Sequence, residues 1–431
     1  MALARPRTGR GPDRRRASDR LVAHAVRLGR RLIRLSGRGQ GATLPGLLAE
    51  RCAPGIVGRW ASHLDRVVLV SGTNGKTTTT AMLTAALTSD GRRVVSNASG
   101  SNLHRGLVTA LLCAAEDAQD AVLEVDEAVL PGAIAQLQPE LVVLLNLSRD
   151  QLDRHHEVDG LAARWRAAME DLDAGATVVA NAGDLRVAHV AEAAPRAVLV
   201  RMPGAPRGRD AAMCPHCGAL LVDEPADRPR CTRCRWAPAP AAVEVRRRHT
   251  AVRLRGFGLE GRARLPVAAN GYALDAATAW TAAALLDVGP TSAWAAVVGA
   301  GTVQDRYAER SWRDIRVRLL LAKNPAGWDE ALTAAADSRR AAVVAVNGFV
   351  PDGRDTSWLW DVEMARLHGR PRVVATGARA EDVAVRLEVA GVRCTIVRPL
   401  AAAIAGARAQ DVDLFADYTS FQAARRLLGD G

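Results

Sequence analysis

Lysine is almost absent from this 431-residue chain: of 58 basic residues, 56 are arginine, and only Lys76 and Lys323 remain. Aromatic residues are also few, at 4%, which leaves little material for the stacking platforms of single-stranded nucleic-acid binders. No apolar run approaches the ~18 residues that a membrane-spanning helix needs. The Arg-rich start is not followed by an apolar stretch and a small-residue cleavage site, so no secretory signal is expected and the chain is read as cytoplasmic. That compartment argues against a disulfide framework for the seven cysteines.

Hydrophobic residues make up 48% of the chain, enough for real cores, and the length suggests two or three domains. The formal net charge is +12, but residues 1–40 hold twelve Arg and two Asp, so the remaining 391 residues carry only +2. A near-neutral protein with a basic front end lacks the distributed basic surface of a nucleic-acid binder, and no nucleic-acid partner is expected. The front end reads as an arm, Arg5 to Arg20, with the composition of a disordered segment, followed by a basic amphipathic stretch. In that stretch, Leu21 to Leu35, apolar residues interleave with Arg27, Arg30, Arg31 and Arg34. Two readings stay open: transient attachment to an anionic membrane surface, or a helix packed on the core with its Arg facing water.

A composition this skewed reads as drift that has replaced Lys wherever Arg serves. The two survivors are then candidates for places that need a compact point charge instead of a planar fork. Lys76 follows an apolar β-branched run, Val67 to Val70, and a Gly-rich turn, Ser71-Gly72-Thr73-Asn74-Gly75; Thr77 to Thr80 and an apolar helical stretch, Ala81 to Leu87, come after it. Strand, Gly-rich turn and helix in that order make a phosphate-binding loop. Gly72, Thr73, Asn74, Gly75, Lys76, Thr77 and Thr78 are its expected nucleotide contacts. Backbone N–H groups and the helix N-terminus would meet phosphate oxygens, Lys76 the terminal phosphates, and Thr77 a Mg²⁺ ion. A second strand-like run, Ala121 to Leu123, ends in Glu124-Val125-Asp126-Glu127. Carboxylates there suit the other half of a Mg²⁺ site, and Glu124 is the chosen ligand.

The loop Gly72 to Thr80, GTNGKTTTT, resembles the Mur ligase superfamily, which joins amines to carboxylates through acyl phosphates. Asn146 to His155 resembles a further stretch of that family, N-[IL]-x-x-D-H-L-D, but Gln151 stands where most members carry a metal-binding His. The helical segment Leu161 to Met169 holds no Lys on which a carbamate could form. The stretch Gly271 to Ala276 keeps neither Asn of the family's adenine-side helix. These departures place the chain away from the amino-acid-adding enzymes, and His155 and His156 read as surface or structural residues.

Four cysteines form two knuckles, Cys214-Pro-His-Cys217 and Cys231-Thr-Arg-Cys234, thirteen residues apart. That spacing matches a tetrahedral Cys₄ zinc ribbon, whose closed ligand set makes the ion structural. Pro-, Gly- and Arg-rich flanks mark it as a loop insertion. Cys52, Cys113 and Cys394 read as small core residues.

Lys323 ends an apolar run, Leu319 to Ala322, before a turn and a helix expected from about Asp329. Further strands end in polar residues ahead of helices, the alternation of a Rossmann-like parallel sheet. The fold class is therefore α/β: a Mur ligase-like P-loop ATPase domain with an inserted Cys₄ zinc ribbon, plus a Rossmann-like C-terminal α/β domain. The expected layout is a basic arm and amphipathic helix over 1–45, the ATP-binding domain over 46–300 with the ribbon near 205–240, and the C-terminal domain over 301–431.

Lys323 to Trp328 (KNPAGW), Asp352 to Asp361 (DGRDTSWLWD) and Asp417 to Phe421 (DYTSF) together resemble the MurT-type subunits of lipid II isoglutaminyl synthases. The resemblance implies ATP-dependent amidation of the D-glutamate α-carboxylate of the lipid II stem peptide, with Mg²⁺ and a structural Zn²⁺. It also implies a partner, a GatD-type glutamine amidotransferase that supplies ammonia and whose catalytic triad is completed by an Asp of this chain. Asp355 is the candidate and Asp361 the second choice. Lys323 is expected to contact phosphate or the substrate carboxylate. Two other readings are a folylpolyglutamate synthase-like ligase, which would normally bring the carbamate Lys and no ribbon, and a nucleic-acid-binding zinc-ribbon ATPase.

Overall fold

The computed structural model describes residues 17–35, 44–97, 102–115, 117–148, 158–205, 212–224, 228–300, 307–336, 338–350 and 352–429. Most of the basic arm, Gln151, His155 and His156 lie outside the described residues. The chain divides into two compact units, one of residues 1–147, 158–265 and 272–301, the other of residues 148–157, 266–271 and 302–431.

The first unit opens with three helices, α1 (Ala17–Leu35), α2 (Leu44–Cys52) and α3 (Ile56–Ala61). Then β1 (Arg66–Ser71), α4 (Lys76–Ser89), β2 (Val94–Ser96), α5 (His104–Leu112), β3 (Asp120–Val125), α6 (Leu130–Leu137), β4 (Leu141–Leu144), α7 (Val158–Glu170), β5 (Thr177–Asn181), α8 (Leu185–Ala191) and β6 (Ala197–Arg201) alternate. A small hairpin, β7 (Leu221–Glu224) and β8 (Arg228–Cys231), precedes the meander β9 (Val243–Arg248), β10 (Ala251–Gly256) and β11 (Leu259–Arg264), and the helices α9 (Asn270–Leu285) and α10 (Pro290–Gly299) follow. The large sheet runs β11-β10-β9-β6-β5-β4-β1-β3-β2, parallel from β9 to β2 and antiparallel through the meander. All residues of β1, β3 and β4 are buried, which is why they read as unbroken apolar runs instead of alternating ones. Val67 and Leu69 point into a core with α3, α5, α6 and α7. The chain leaves β1 toward β2 and leaves β3 toward β4, in opposite directions along the sheet. The crevice at the C-terminal ends of β1 and β3 is therefore a topological switch point, where open α/β sheets bind ligands.

The second unit contains β12 (Tyr307–Trp312), β13 (Ile315–Leu321), α11 (Pro325–Ala334), β14 (Ala341–Ala345), β15 (Val373–Thr376), α12 (Ala380–Val389), β16 (Thr395–Ile396), α13 (Leu400–Gly406), β17 (Asp411–Ala416) and α14 (Tyr418–Leu428). Its sheet order is β12-β13-β17-β14-β15-β16, parallel apart from the β12–β13 hairpin. One core packs α11 and α12 on one face and another packs α13 and α14 on the other, a three-layer Rossmann-like arrangement. Asp413 in β17 is fully buried and accepts from Arg318 at 2.8 and 2.9 Å and from Arg370 at 2.8 Å.

Helix α11 starts at Pro325, ahead of the position near Asp329 expected from sequence. Proline suits the first helical turn, where its missing N–H is not needed, and the Asn324 side chain accepts from the Gly327 N–H at 2.7 Å. Cys52 is exposed and Cys113 and Cys394 are only partly buried, so the reading of all three as core residues fails for Cys52.

Candidate functional site

The phosphate loop lies at the switch point of the first unit. Gly72 has φ 147° and Gly75 φ 89°, conformations that other residues rarely adopt. Space is also closed to a side chain: a Cβ on Gly72 would stand 2.8 Å from Leu145 Cβ and 2.9 Å from Asn146 N. Asn146, just beyond β4, staples the loop from the neighbouring strand. Its Oδ1 accepts from Asn74 N at 2.9 Å, its Nδ2 donates to Asn74 O at 3.0 Å, and its backbone O accepts from Thr73 N at 2.9 Å.

Lys76 begins α4 and is almost buried. Its Nζ donates to Gly72 O and lies 3.3 Å from a carboxylate oxygen of Glu127. One residue on, Thr77 Oγ1 donates to Glu124 Oε2 at 2.7 Å. Glu124 is held in turn by Asn102 Nδ2 at 3.3 Å on its side chain, and by reciprocal Asn97 side-chain bonds of 2.7 and 2.8 Å to its backbone. A hydroxyl and a carboxylate in contact at a phosphate loop are the oxygen donors that Mg²⁺ takes. Thr73 and Thr78 are buried and Asn74 partly exposed. The seven loop residues and Glu124 thus converge on one crevice.

Four residues here are weakly signalled in the sequence. Glu127 is one of three neighbouring acidic residues, and nothing local marks it as the one that pairs with Lys76. Asn146 opens the family-like stretch but with no sign of its bonds to the loop, and Asn102 gives little signal beyond being a polar residue next to a helix end. Asp275 of α9 reads only as a departure from the family's adenine-side pattern, yet a Cβ on Gly75 would meet its Oδ1 at 2.3 Å and its Oδ2 at 2.8 Å. A buried carboxylate thus stands against the Gly-rich loop. Burial, followed by the Asp275 charge, raises the pKa of the neighbouring Tyr272 phenol.

The thiols of Cys214, Cys217, Cys231 and Cys234 lie within 4.8 Å of one another, with Cys214–Cys234 at 3.7 Å and Cys217–Cys231 at 3.4 Å. Four sulfurs at ~2.3 Å around a tetrahedral ion stand about 3.8 Å apart, so the cluster could hold a metal. Backbone N–H groups of Arg233 and Cys234 donate to Cys231 Sγ at 3.3 and 3.4 Å. Against the burial that raises it, these donors and the adjacent thiols bring Cys231 down to about 6, while burial pushes Cys214 up and burial with the neighbouring thiols pushes Cys234 up, so the first proton leaves the cluster from Cys231. The two knuckles meet the end of α8: the rings of His216 and Trp236 stand edge-on to His189 at 5.7 and 5.8 Å, and Trp236 Nε1 donates to Glu192 at 2.9 Å.

In the second unit, Lys323 is half-buried just beyond β13, at the C-terminal edge of the sheet. Asp355 is exposed in the loop after β14, where its Oδ1 accepts from Ser357 N at 2.8 Å; that amide holds its pKa below the usual carboxylate value. Asp361 is exposed at the end of the short 3₁₀ turn Ser357–Asp361. Trp358 packs on the core, whereas Trp360 is exposed with Arg386 5.7 Å above its ring. The chain enters one face on leaving β14 and the other on leaving β17, making a second switch point at their ends. Polar residues fill it: Asn347 Nδ2 donates to Thr419 and Ser420 at 2.8 and 2.9 Å, Asp352 accepts from Thr419 N and Oγ1 at 2.8 and 2.6 Å, and Asp417 caps α14. Asp352 thereby ties the start of the Asp355 loop to α14.

Burial, with a contribution from Asp352, raises Asp417 from 3.8 to about 6. The folded chain holds this proton more tightly than the unfolded chain. The resulting stability is full below pH about 4 and is lost as pH rises through about 6. Relative to Asp417→Asn, the wild type should lose on the order of 3 kcal/mol across that window, read by urea unfolding at both ends; a constant difference contradicts the assignment.

Comparison with known proteins follows the same division. Residues 70–202 match the Mur ligase middle domain model and residues 321–421 the MurT ligase C-terminal model. The chain is 26% identical over 392 residues to the lipid II isoglutaminyl synthase (glutamine-hydrolyzing) subunit MurT of Staphylococcus aureus, covering 87% of this chain and 88% of the relative. A Streptococcus pneumoniae protein of the same name is 40% identical over 127 residues, 29% of this chain and 28% of that one. Among solved structures, a pseudomurein peptide ligase type C from Methanothermus fervidus superposes with TM-score 0.67 at 18% identity, over 84% of this chain and 78% of that one. The folylpolyglutamate synthase of Mycobacterium tuberculosis gives 0.62 at 17% identity, over 95% and 99%. The structural likenesses speak to fold alone.

Proposed function

We propose, from the premise that this chain belongs to the MurT group of Mur ligase-like ATP-dependent ligases, that it is the ligase subunit of a lipid II isoglutaminyl synthase in peptidoglycan synthesis. It converts the D-glutamate α-carboxylate of the lipid II stem peptide to the amide, using ammonia from a GatD-type amidotransferase, in the cytoplasm. One observation supports the reading above the others: a Gly-rich loop where Lys76 meets the Gly72 carbonyl and Thr77 meets Glu124 stands upstream of a unit whose residues 321–421 match the MurT C-terminal model. The folylpolyglutamate reading has only fold-level likeness behind it.

A carboxylate does not react with ammonia at neutral pH, so it first attacks the γ-phosphate of ATP and becomes an acyl phosphate. Little covalent work is left to the protein; alignment and charge neutralisation carry the step. Loop amides from Gly72 to Thr77 bind the phosphates, and Lys76 exchanges its Gly72 carbonyl contact for phosphate oxygens. Thr77 and Glu124 would hold Mg²⁺, which neutralises charge on the transferring group. Ammonia then displaces phosphate, and water must be kept out. Lys323, at the sheet edge of the second unit, contacts phosphate or the substrate carboxylate.

The reading is tested by expressing the chain with candidate amidotransferases and following lipid II by mass spectrometry with ATP and glutamine. The expected product shows the mass change of replacing a hydroxyl by an amino group; none with any partner sinks the assignment. The Cys₄ ribbon holds one structural Zn²⁺ per chain. Cys217→Ser or Cys231→Ser should lower zinc content to well below one equivalent and reduce the melting temperature, since ligand loss removes part of a binding energy of about 10 kcal/mol or more. Full thermal stability without zinc would contradict a structural ion. Asp275 repels the phosphates it faces: one charge at ~4 Å is worth about 1 kcal/mol even in water. Asp275→Asn should therefore tighten ADP binding about fivefold by calorimetry; weaker binding would mean that Asp275 assists the nucleotide.

A further inference from the structure

We propose that the outward face of α1 is a docking surface for an anionic lipid bilayer. Leu21, Leu28 and Leu32 are 73%, 53% and 57% exposed. At 100° per residue, they fall within about 40° of one another around the helix. Exposed Ala25 and His24 lie beside them, and exposed Arg20 and Arg31 flank the stripe on one side. The opposite face fixes the helix to the body. Ala23 and Val26 are buried in the core, the buried carboxylate of Asp19 accepts two bonds of 2.8 Å from Arg59, and Arg27 donates to the Leu112 and Ala114 carbonyls at 3.1 and 2.9 Å. The packed reading of this stretch is therefore met in part: the helix lies on the core, but it turns leucine as well as arginine toward solvent, and Arg27 is spent on the protein.

A helix of low net hydrophobicity with one apolar stripe and a basic flank lies in a membrane interface instead of crossing it, and no described helix is long and apolar enough to cross. Charge selects the occupant. Arg20 and Arg31 border the stripe, and the sequence just before the helix adds Arg5, Arg7, Arg10, Arg14, Arg15 and Arg16 against Asp13. Anionic headgroups match that pattern. A stable protein partner would need about 800 Å² per side, more than three leucines and two arginines on one helix face provide.

The test uses the full chain and co-sedimentation with phosphatidylcholine vesicles, with and without phosphatidylglycerol. It reads binding and not catalysis, so it stands apart from the amidation reading. The wild type should bind the anionic vesicles and release them at high salt. Leu21→Ser, Leu28→Ser and Leu32→Ser together should lower partitioning about tenfold, and Arg20→Glu with Arg31→Glu should do the same on anionic vesicles only. Replacing the three leucines by phenylalanine should strengthen binding, a gain that misfolding cannot imitate. Unchanged binding of the serine variant, equal binding to neutral vesicles, no gain from phenylalanine, or a wild-type dimer that the serine variant converts to monomer would each overturn the proposal.

Discussion

Lys76→Arg should cost at least about 100-fold in kcat/KM for ATP, the scale of losing one preorganised electrostatic contact to a transferring group. The loss should be equal with glutamine or with added ammonia. The substitution keeps the charge, so it isolates shape. Lys76 Nζ sits almost buried between the Gly72 carbonyl and Glu127, a pocket built for a compact ammonium. A planar guanidinium is larger and presents its donors as a fork. In a chain with 56 arginines and two lysines, arginine has been accepted wherever charge alone matters. An active Lys76→Arg enzyme would show that position 76 needs only a cation and would remove the reason for singling it out. Because the substitution crowds Glu127, the variant's melting curve should be recorded beside its rates.

Asp355→Asn should abolish glutamine-dependent amidation, by about 10³-fold or more, and leave ammonia-dependent amidation near the wild-type rate. A carboxylate that orients the His of a hydrolytic triad contributes on this scale. Asp355 is exposed on a loop, and an amide of its own turn keeps it ionised. Asp352, two hydrogen bonds deep in the α14 N-terminus, steadies the start of that loop. Asp361→Asn serves as the comparison, since it removes a nearby exposed carboxylate at the end of the 3₁₀ turn. If Asp361→Asn separates the two ammonia sources and Asp355→Asn does not, the roles are exchanged. If both variants lose both activities, neither carboxylate serves the partner.

The parts of this molecule that follow local rules are legible in its residues alone. Buried parallel strands make continuous apolar runs at Val67 to Val70 and Leu141 to Leu145, glycine and lysine at fixed spacing make the phosphate loop, and paired knuckles make the thiol cluster. The features that are not legible depend on pairings across the sheet. Glu127 is 51 positions from Lys76 and Asn146 is 72 from Asn74; only the β3-β1-β4 order brings them together. Asp275 looks like a lost base contact, because nothing local says that α9 passes against Gly75. The start of α11 is hidden because Pro325 reads equally well as a turn residue, and it is the Asn324 cap that makes it the opening of a helix. For the leucine stripe of α1, periodicity shows an amphipathic helix but not which face the core takes; the Asp19–Arg59 pair and Arg27 decide that.

Amidation at this phosphate loop should pass through an acyl phosphate of the substrate carboxylate. It is tested most directly by following oxygen from a D-glutamate α-carboxylate labelled with oxygen-18 in the lipid II stem peptide, with ATP, ammonia and the purified complex. Each inorganic phosphate released should carry one labelled oxygen, in step with amide formation and absent with Lys76→Arg. Amide formation with unlabelled phosphate would contradict it.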